Sequence, residues 1–131
     1  MKKEIEIPSK IESISIIENL IDEVSIELSL VADLYGNVLI GVIEAVTNAI
    51  VHGNKLDEKK TVKIMLTYNS PILNIRVSDE GKGFMFNDIP DPTKPDNVEK
   101  PDGRGVFLMK HLADEVTFDK GGSIVNLKFK I

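Results

Sequence analysis

The stretch Val38–Val51 is apolar almost all round, and a helix with that pattern has to be covered on most sides rather than lie on a surface. The fold must therefore be built around it. Within this stretch and its continuation to Gly53, Glu44, Asn48 and His52 recur every four positions. At ~100° per residue they fall on nearly one side of the helix, drifting across two turns. One stripe thus offers a carboxylate, an amide and an imidazole. Burying such groups without partners costs about 1–3 kcal/mol each, so the stripe points to something polar against it. Taken alone, the same spacing also fits the solvated face of an amphipathic helix; the apolar surroundings weigh against that reading.

The 131 residues, 42% hydrophobic and 28% charged, suit one globular domain over 1–131 with an ordinary core. No run reaches the ~18 apolar residues of a membrane span, and Met1–Glu6 lacks the apolar stretch of a signal peptide. A soluble, cytoplasmic protein without membrane association is expected. The absence of cysteine excludes disulfides and thiolate chemistry, and two histidines make a rich metal cage improbable. A net charge of −5 leaves no overall basic footprint for direct nucleic-acid binding.

Along the chain, Glu4–Pro8 reads as a short edge strand, and Ser9-Lys10-Ile11-Glu12 has the form of a capping box that starts a helix at Ser9. Ile14, Ile17, Ile21, Val24, Leu28 and Val31 make one apolar stripe along that helix. Tyr35-Gly36-Asn37 reads as a break before the second helix, and Gly53-Asn54 as its end, in residues that tolerate a left-handed conformation. Thr61–Tyr68 and Ile72–Ser78 follow as a hairpin joined by Asn69-Ser70-Pro71. Because strand side chains alternate, Asp79 continues the row Leu73, Ile75, Val77, and Ser123 shares the face of Val125, Leu127 and Phe129. Two polar groups thus border the covered face of one sheet. Locally, Asp79 could instead only cap a turn before Gly81.

Asp79-Glu80-Gly81-Lys82-Gly83-Phe84 sets an acid beside two glycines that let backbone approach a ligand closely. It is neither a phosphate-binding P-loop nor a dinucleotide fingerprint. From 85 to 102 the composition shifts: Pro90, Pro92, Pro95 and Pro101 are four of the chain's six prolines, a spacing that leaves neither helix nor strand. Such a segment is a functional lid or a disordered insert. Gly103-Arg104-Gly105 then leads into an apolar helix from Val106 to Leu112, a start that can bind phosphate through amides and helix dipole, or act as a hinge. Strand Glu115–Asp119, a Lys120-Gly121-Gly122 turn and strand Ser123–Ile131 close the chain.

Glu44-x-x-x-Asn48-x-x-x-His52, Asp79-x-Gly81-x-Gly83-Phe84 and Gly103-Arg104-Gly105, in this order and at these separations, resemble the N, G1 and G2 boxes of the GHKL ATPase superfamily. The chain is most similar to the anti-sigma-factor serine kinases within it, over nearly its whole length. The resemblance implies a Bergerat-type α+β fold, a two-layer sandwich of about three helices on a mostly antiparallel sheet, with ATP held between the helices and a lid at about 85–102. It implies that Asp79 accepts from the adenine amino group, with Gly81, Gly83 and Phe84 at the nucleotide. Ser123 stands near adenine where relatives usually have Thr. Asn48 would ligate Mg²⁺, His52 occupies the basic position of its box, and Gly103, Arg104 and Gly105 would receive phosphates. Glu44 would be the general base for a substrate serine.

The function implied is ATP-dependent protein-serine kinase activity on an anti-sigma antagonist, traded against binding of a sigma factor, with a homodimer implied by resemblance alone. The other class is a nucleotide-gated binding module that sequesters a protein partner; retention of Glu44 favours the enzyme. Relatives often carry a basic residue early in the first helix at the partner surface, and Ile16-Ile17-Glu18-Asn19-Leu20 has none.

Overall fold

A computed structural model of the chain describes residues 1–81 and 101–131, the side chains of 101–103 excepted. Its elements in order are β1 (Lys2–Pro8), α1 (Ile14–Leu28), α2 (Ala32–Asn48), β2 (Thr61–Asn69), β3 (Ile72–Ser78), α3 (Pro101–Leu112), β4 (Glu115–Asp119) and β5 (Ile124–Lys130). A 3₁₀ turn at Ile11–Ser13 precedes α1, and a π turn at Ala49–Gly53 extends α2. The strands form one sheet in the order β1-β2-β3-β5-β4, every neighbouring pair antiparallel. The two-layer α+β architecture expected from the sequence is the one observed, with β1 at an edge.

Alternation decides which side of the sheet is covered. Ile7, Val62, Ile64, Leu66, Leu73, Ile75, Val77, Val125, Leu127 and Phe129 are buried on one face. Against them pack Ile17, Ile21 and Val24 of α1 and Val38, Val42, Ala45 and Val46 of α2. The opposite face carries charged and amide side chains: Lys63 sits 3.4 Å from Glu4 and 3.6 Å from Glu6, and Arg76 Nε donates to Asn126 Oδ1 at 3.0 Å. A sheet with one apolar face needs one covering layer, and the helices supply it. The expectation that no segment is long and apolar enough for a membrane span is corrected in one respect. The continuous helix Ala32–Gly53, 22 residues long and containing an 18-residue window with a mean hydropathy of 1.6, passes that test by length and composition. Its buried row from Val38 to Ile50 packs on the other helices and the sheet, which accounts for the hydropathy.

Four local expectations are overturned, each by a tertiary demand. Ser9 caps no helix; its side chain is fully buried and its hydroxyl donates to the Lys60 carbonyl at 2.7 Å. The break between α1 and α2 falls at Ser29, in the left-handed region at φ 52° and ψ 48°, where the Leu30 amide reaches back to the Ser25 carbonyl at 3.0 Å in a Schellman-type stop. Val31 therefore leaves the apolar stripe and is 68% exposed, while Tyr35-Gly36-Asn37 lies inside α2. After the π turn the left-handed residues are Lys55 and Leu56, not Gly53 or Asn54. Finally, α3 starts at Pro101, a residue preorganised for a first helical position, so Gly103-Arg104-Gly105 belongs to the helix rather than to a loop before it.

Candidate functional site

The rows predicted by strand parity converge at one end of the sheet. Val77 pairs with Val125, Ser78 with Ile124, and just beyond them the Asp79 amide donates to the Ser123 carbonyl at 2.9 Å. Asp79 and Ser123 thus stand side by side where β3 leaves and β5 enters. Above them runs α2. Asn48 and Asp79 line a narrow cleft with Ser123 and Gly122, while Ala45, Ala49, Val77, Val125, Met109 and Phe118 supply its apolar walls.

Asp79 occupies a tight corner. Its Oδ1 accepts the Gly81 amide at 2.7 Å, so the turn-capping role is real, and its carboxylate also abuts Gly53. A Cβ on Gly53 would lie 2.3 Å from Asp79 Oδ2, and one on Gly81 would lie 2.1 Å from the Gly53 carbonyl oxygen. Both glycines are required because the loop docks directly on the end of the π turn. Burial pushes the Asp79 carboxyl above its ordinary pKa, against the opposing pull of the Gly81 amide and the Lys60 charge.

Glu44 and Asn48 lie together on α2, each half-buried, and α3 closes on them. A Cβ on the buried Gly105 would stand 2.9 Å from Asn48 Nδ2, 3.0 Å from Asn48 Oδ1 and 3.2 Å from Glu44 Oε2. Gly105 is therefore a packing glycine that lets α3 approach the two polar side chains. Burial raises the Glu44 pKa, and the charge of Arg104, exposed in the first turns of α3, works in the opposite direction. His52 sits half-buried in the π turn, outside the lining of the cleft. The four-residue stripe holds from Glu44 to Asn48; the regular helix ends there, and the wider turn sets His52 apart. Gly83, Phe84 and the lid from 85 to 100 lie outside the described residues.

The donor set can be tested against the groups the resemblance implies. A mostly apolar lining with the Asp79 carboxylate in it is the kind of donor set that suits a heteroaromatic base presenting an amino group. Among the described residues no three His, Cys, Asp or Glu side chains gather to hold a metal. Asn48 with Glu44 beside it suits a cation that takes most of its oxygen ligands from phosphate and water, as Mg²⁺ does. The first-turn amides of α3 lack intrahelical partners and bear a partial positive charge suited to phosphate. Sequence reasoning missed the cleft walls Ala45, Ala49, Met109 and Phe118, and read Asn54 only as a helix terminator. Asn54 is in fact fully buried. The adjacent Gly53-Asn54 pair, too polar for a core position, is the signal that could have marked it.

Comparison with known proteins bears on the family and the fold. The chain is 28% identical over 136 aligned residues to the serine-protein kinase RsbW of Bacillus cereus (strain AH820), covering 98% of this chain and 84% of the relative. The RsbW of Bacillus thuringiensis (strain Al Hakam) matches at the same identity and coverage. Among solved structures, the RsbU and RsbW domains of a Mycobacterium tuberculosis protein superpose with a TM-score of 0.72 at 15% identity, over 99% of this chain and 32% of that one. The histidine kinase domain of a blue-light activated histidine kinase from Erythrobacter litoralis gives 0.52 at 24% identity, over 75% of this chain and 45% of that one. The sequence profile of the histidine kinase-like ATPase domain matches residues 7–129. The chain belongs to the histidine kinase-like ATPase domain family.

Proposed function

We propose that the cleft binds ATP with Mg²⁺, that the chain transfers the γ-phosphate to a serine hydroxyl of a protein partner, an anti-sigma antagonist, with release of ADP, and that binding of this antagonist is traded against binding of a sigma factor. The observation that carries this reading is that Asp79 and Asn48 line one apolar-walled cleft, with Glu44 and Gly105 of α3 against Asn48. Asp79 accepts from the adenine amino group while Val77, Val125, Ala45, Ala49 and Met109 exclude water around the ring. Gly81 brings backbone to the nucleotide, and Ser123 keeps a hydroxyl at the same edge.

Asn48 holds the cation through its amide oxygen, and Mg²⁺ supplies neutralisation of phosphate charge. Gly103, Arg104 and Gly105 face the phosphates, while His52 stands apart on the π turn; the Arg104 guanidinium offers a fork suited to the phosphate oxygens. Glu44 takes the proton of the attacking serine. A carboxyl with a pKa raised by burial is a better proton acceptor than one in water, as a general base at neutral pH requires. The name of the Bacillus relatives, serine-protein kinase, supports this choice of acceptor.

Incubation with labelled ATP and a panel of anti-sigma-antagonist domains tests the reading. Transfer of label to a serine, lost in Glu44→Gln with ATP binding retained, is the expected result. Tight ATP binding with no transfer to any domain would leave a nucleotide-gated binding module and overturn the kinase assignment.

A further inference from the structure

We propose that Asn54 is a positioning residue for base selection: it ties the Asp79–Gly81 loop to the end of the helix layer and so sets where the Asp79 carboxylate stands. The inference rests on the reading of Asp79 as the acceptor for adenine and adds to it a residue that never touches nucleotide.

The π turn brings Asn54 inward. Its amide donates to the Ala49 carbonyl at 2.8 Å, an i→i−5 bond, and the Ile50 carbonyl is taken instead by the Leu56 amide at 2.8 Å. The extra residue in this turn rotates Asn54 from the helix surface to a position of 0% exposure. A buried amide there is tolerated only if its polar atoms are satisfied, and they are satisfied from three directions. Nδ2 donates to Ser9 Oγ at 2.8 Å, at the end of β1, and to the Thr61 carbonyl at 3.0 Å, at the start of β2. Oδ1 accepts the Glu80 amide at 2.7 Å.

This arrangement has one consistent orientation. Ser9 Oγ gives its own proton to the Lys60 carbonyl at 2.7 Å and can only accept from Asn54, while the Glu80 amide can only donate. A flipped side chain would set donor against donor. The loop carrying Asp79 is held by three backbone amides: Asp79 to the Ser123 carbonyl, Gly81 to Asp79 itself, and Glu80 to Asn54. Of these, the Asn54 bond alone ties the loop to the helix layer. That layer is where the fit is closest, with Gly53 and Gly81 each lacking room for a Cβ. Losing the Asn54 acceptor leaves the loop attached to the sheet but loose against Gly53, and the carboxylate moves with it.

The test compares affinities for ATP and GTP in the full chain and in Asn54→Ala, Ser9→Ala and Asp79→Asn, each checked by circular dichroism to be folded at the assay temperature. GTP presents a carbonyl where ATP presents the amino group, so the ratio of the two affinities reports the carboxylate's position rather than general stability. Ser9→Ala removes one partner of Nδ2 and leaves the Glu80 bond intact; its melting temperature falls and its ratio stays at the wild-type value. Asn54→Ala is expected to lower the ratio about tenfold, the worth of one well-placed hydrogen bond. If Asn54→Ala does not fold, Asn54→Ser is judged by the same ratio. A ratio unchanged on replacing Asn54 but abolished in Asp79→Asn would overturn the role of Asn54 and leave the adenine reading standing. A ratio unchanged in Asp79→Asn as well would overturn both.

Discussion

Replacing Gly105 by alanine separates packing from function. Glycine inside a helix is worse than alanine by about 0.8–1.0 kcal/mol, so on propensity alone Gly105→Ala stabilises α3. Against this stands the new Cβ, 2.9 Å from Asn48 Nδ2, 3.0 Å from Asn48 Oδ1 and 3.2 Å from Glu44 Oε2. Overpacking a rigid core costs about 1–3 kcal/mol. Here the obstacles are the ends of two half-buried side chains, which can turn aside for about 0.5–1.5 kcal/mol. The two effects nearly cancel, and the melting temperature should move by less than about 4 °C in a domain of this size. Function does not share that tolerance, because Mg²⁺ demands near-ideal octahedral geometry and Asn48 is the side chain displaced. Calorimetric titration with ATP, with and without Mg²⁺, should show at least about tenfold weaker binding in the presence of metal and a much smaller change in its absence. Unchanged Mg²⁺-dependent affinity, or a collapse of the melting temperature, would refute the reasoning.

Two further substitutions extend the contrast. Gly41→Ala places a Cβ 3.3 Å from Cζ of the buried Phe129 ring, which cannot turn aside, so stability should fall by about 1 kcal/mol despite the better helix former, with ATP affinity unchanged; melting curves and titration check both halves. The Asp79 carboxyl has a raised pKa, so the folded state binds its proton more tightly than the unfolded state does, and stability is lost as pH rises through the folded value. Asp79→Asn keeps an acceptor for the Gly81 amide and removes that loss. The variant should melt higher than wild type at pH 7, the gain should vanish below about pH 4, and ATP affinity should drop sharply.

Strand alternation was the most legible layer of this chain. A period of two carries a face unambiguously, so the rows ending in Asp79 and Ser123 met as expected, joined by a backbone bond of 2.9 Å. The helices were legible in their apolar faces but not in their ends. Gly36 and Asn37 read as a break, yet α2 passes through them because its buried row from Val38 onward makes the helix favourable regardless. Ser9 read as a cap by local pattern, but its hydroxyl answers to Asn54 and Lys60, residues distant in the chain. The π turn carries no periodicity of its own, which is why His52 reads as one stripe with Glu44 and why Asn54 reads only as a terminator and not as a buried residue. Gly105 reads in sequence as part of a phosphate-binding start or a hinge, whereas its contact with Asn48 and Glu44 arises from the crossing of α2 and α3, which no local pattern encodes.

The central claim, that the cleft between α2, α3 and the β3–β5 end of the sheet is the ATP site, is tested most directly by amide chemical-shift mapping of the nitrogen-labelled chain titrated with ATP and Mg²⁺. Shifts concentrated at Asn48, Asp79, Gly81, Arg104, Gly105 and Ser123, and absent from the charged face around Lys63 and Arg76, are predicted. Shifts centred on that opposite face, or none at saturating nucleotide, would contradict it.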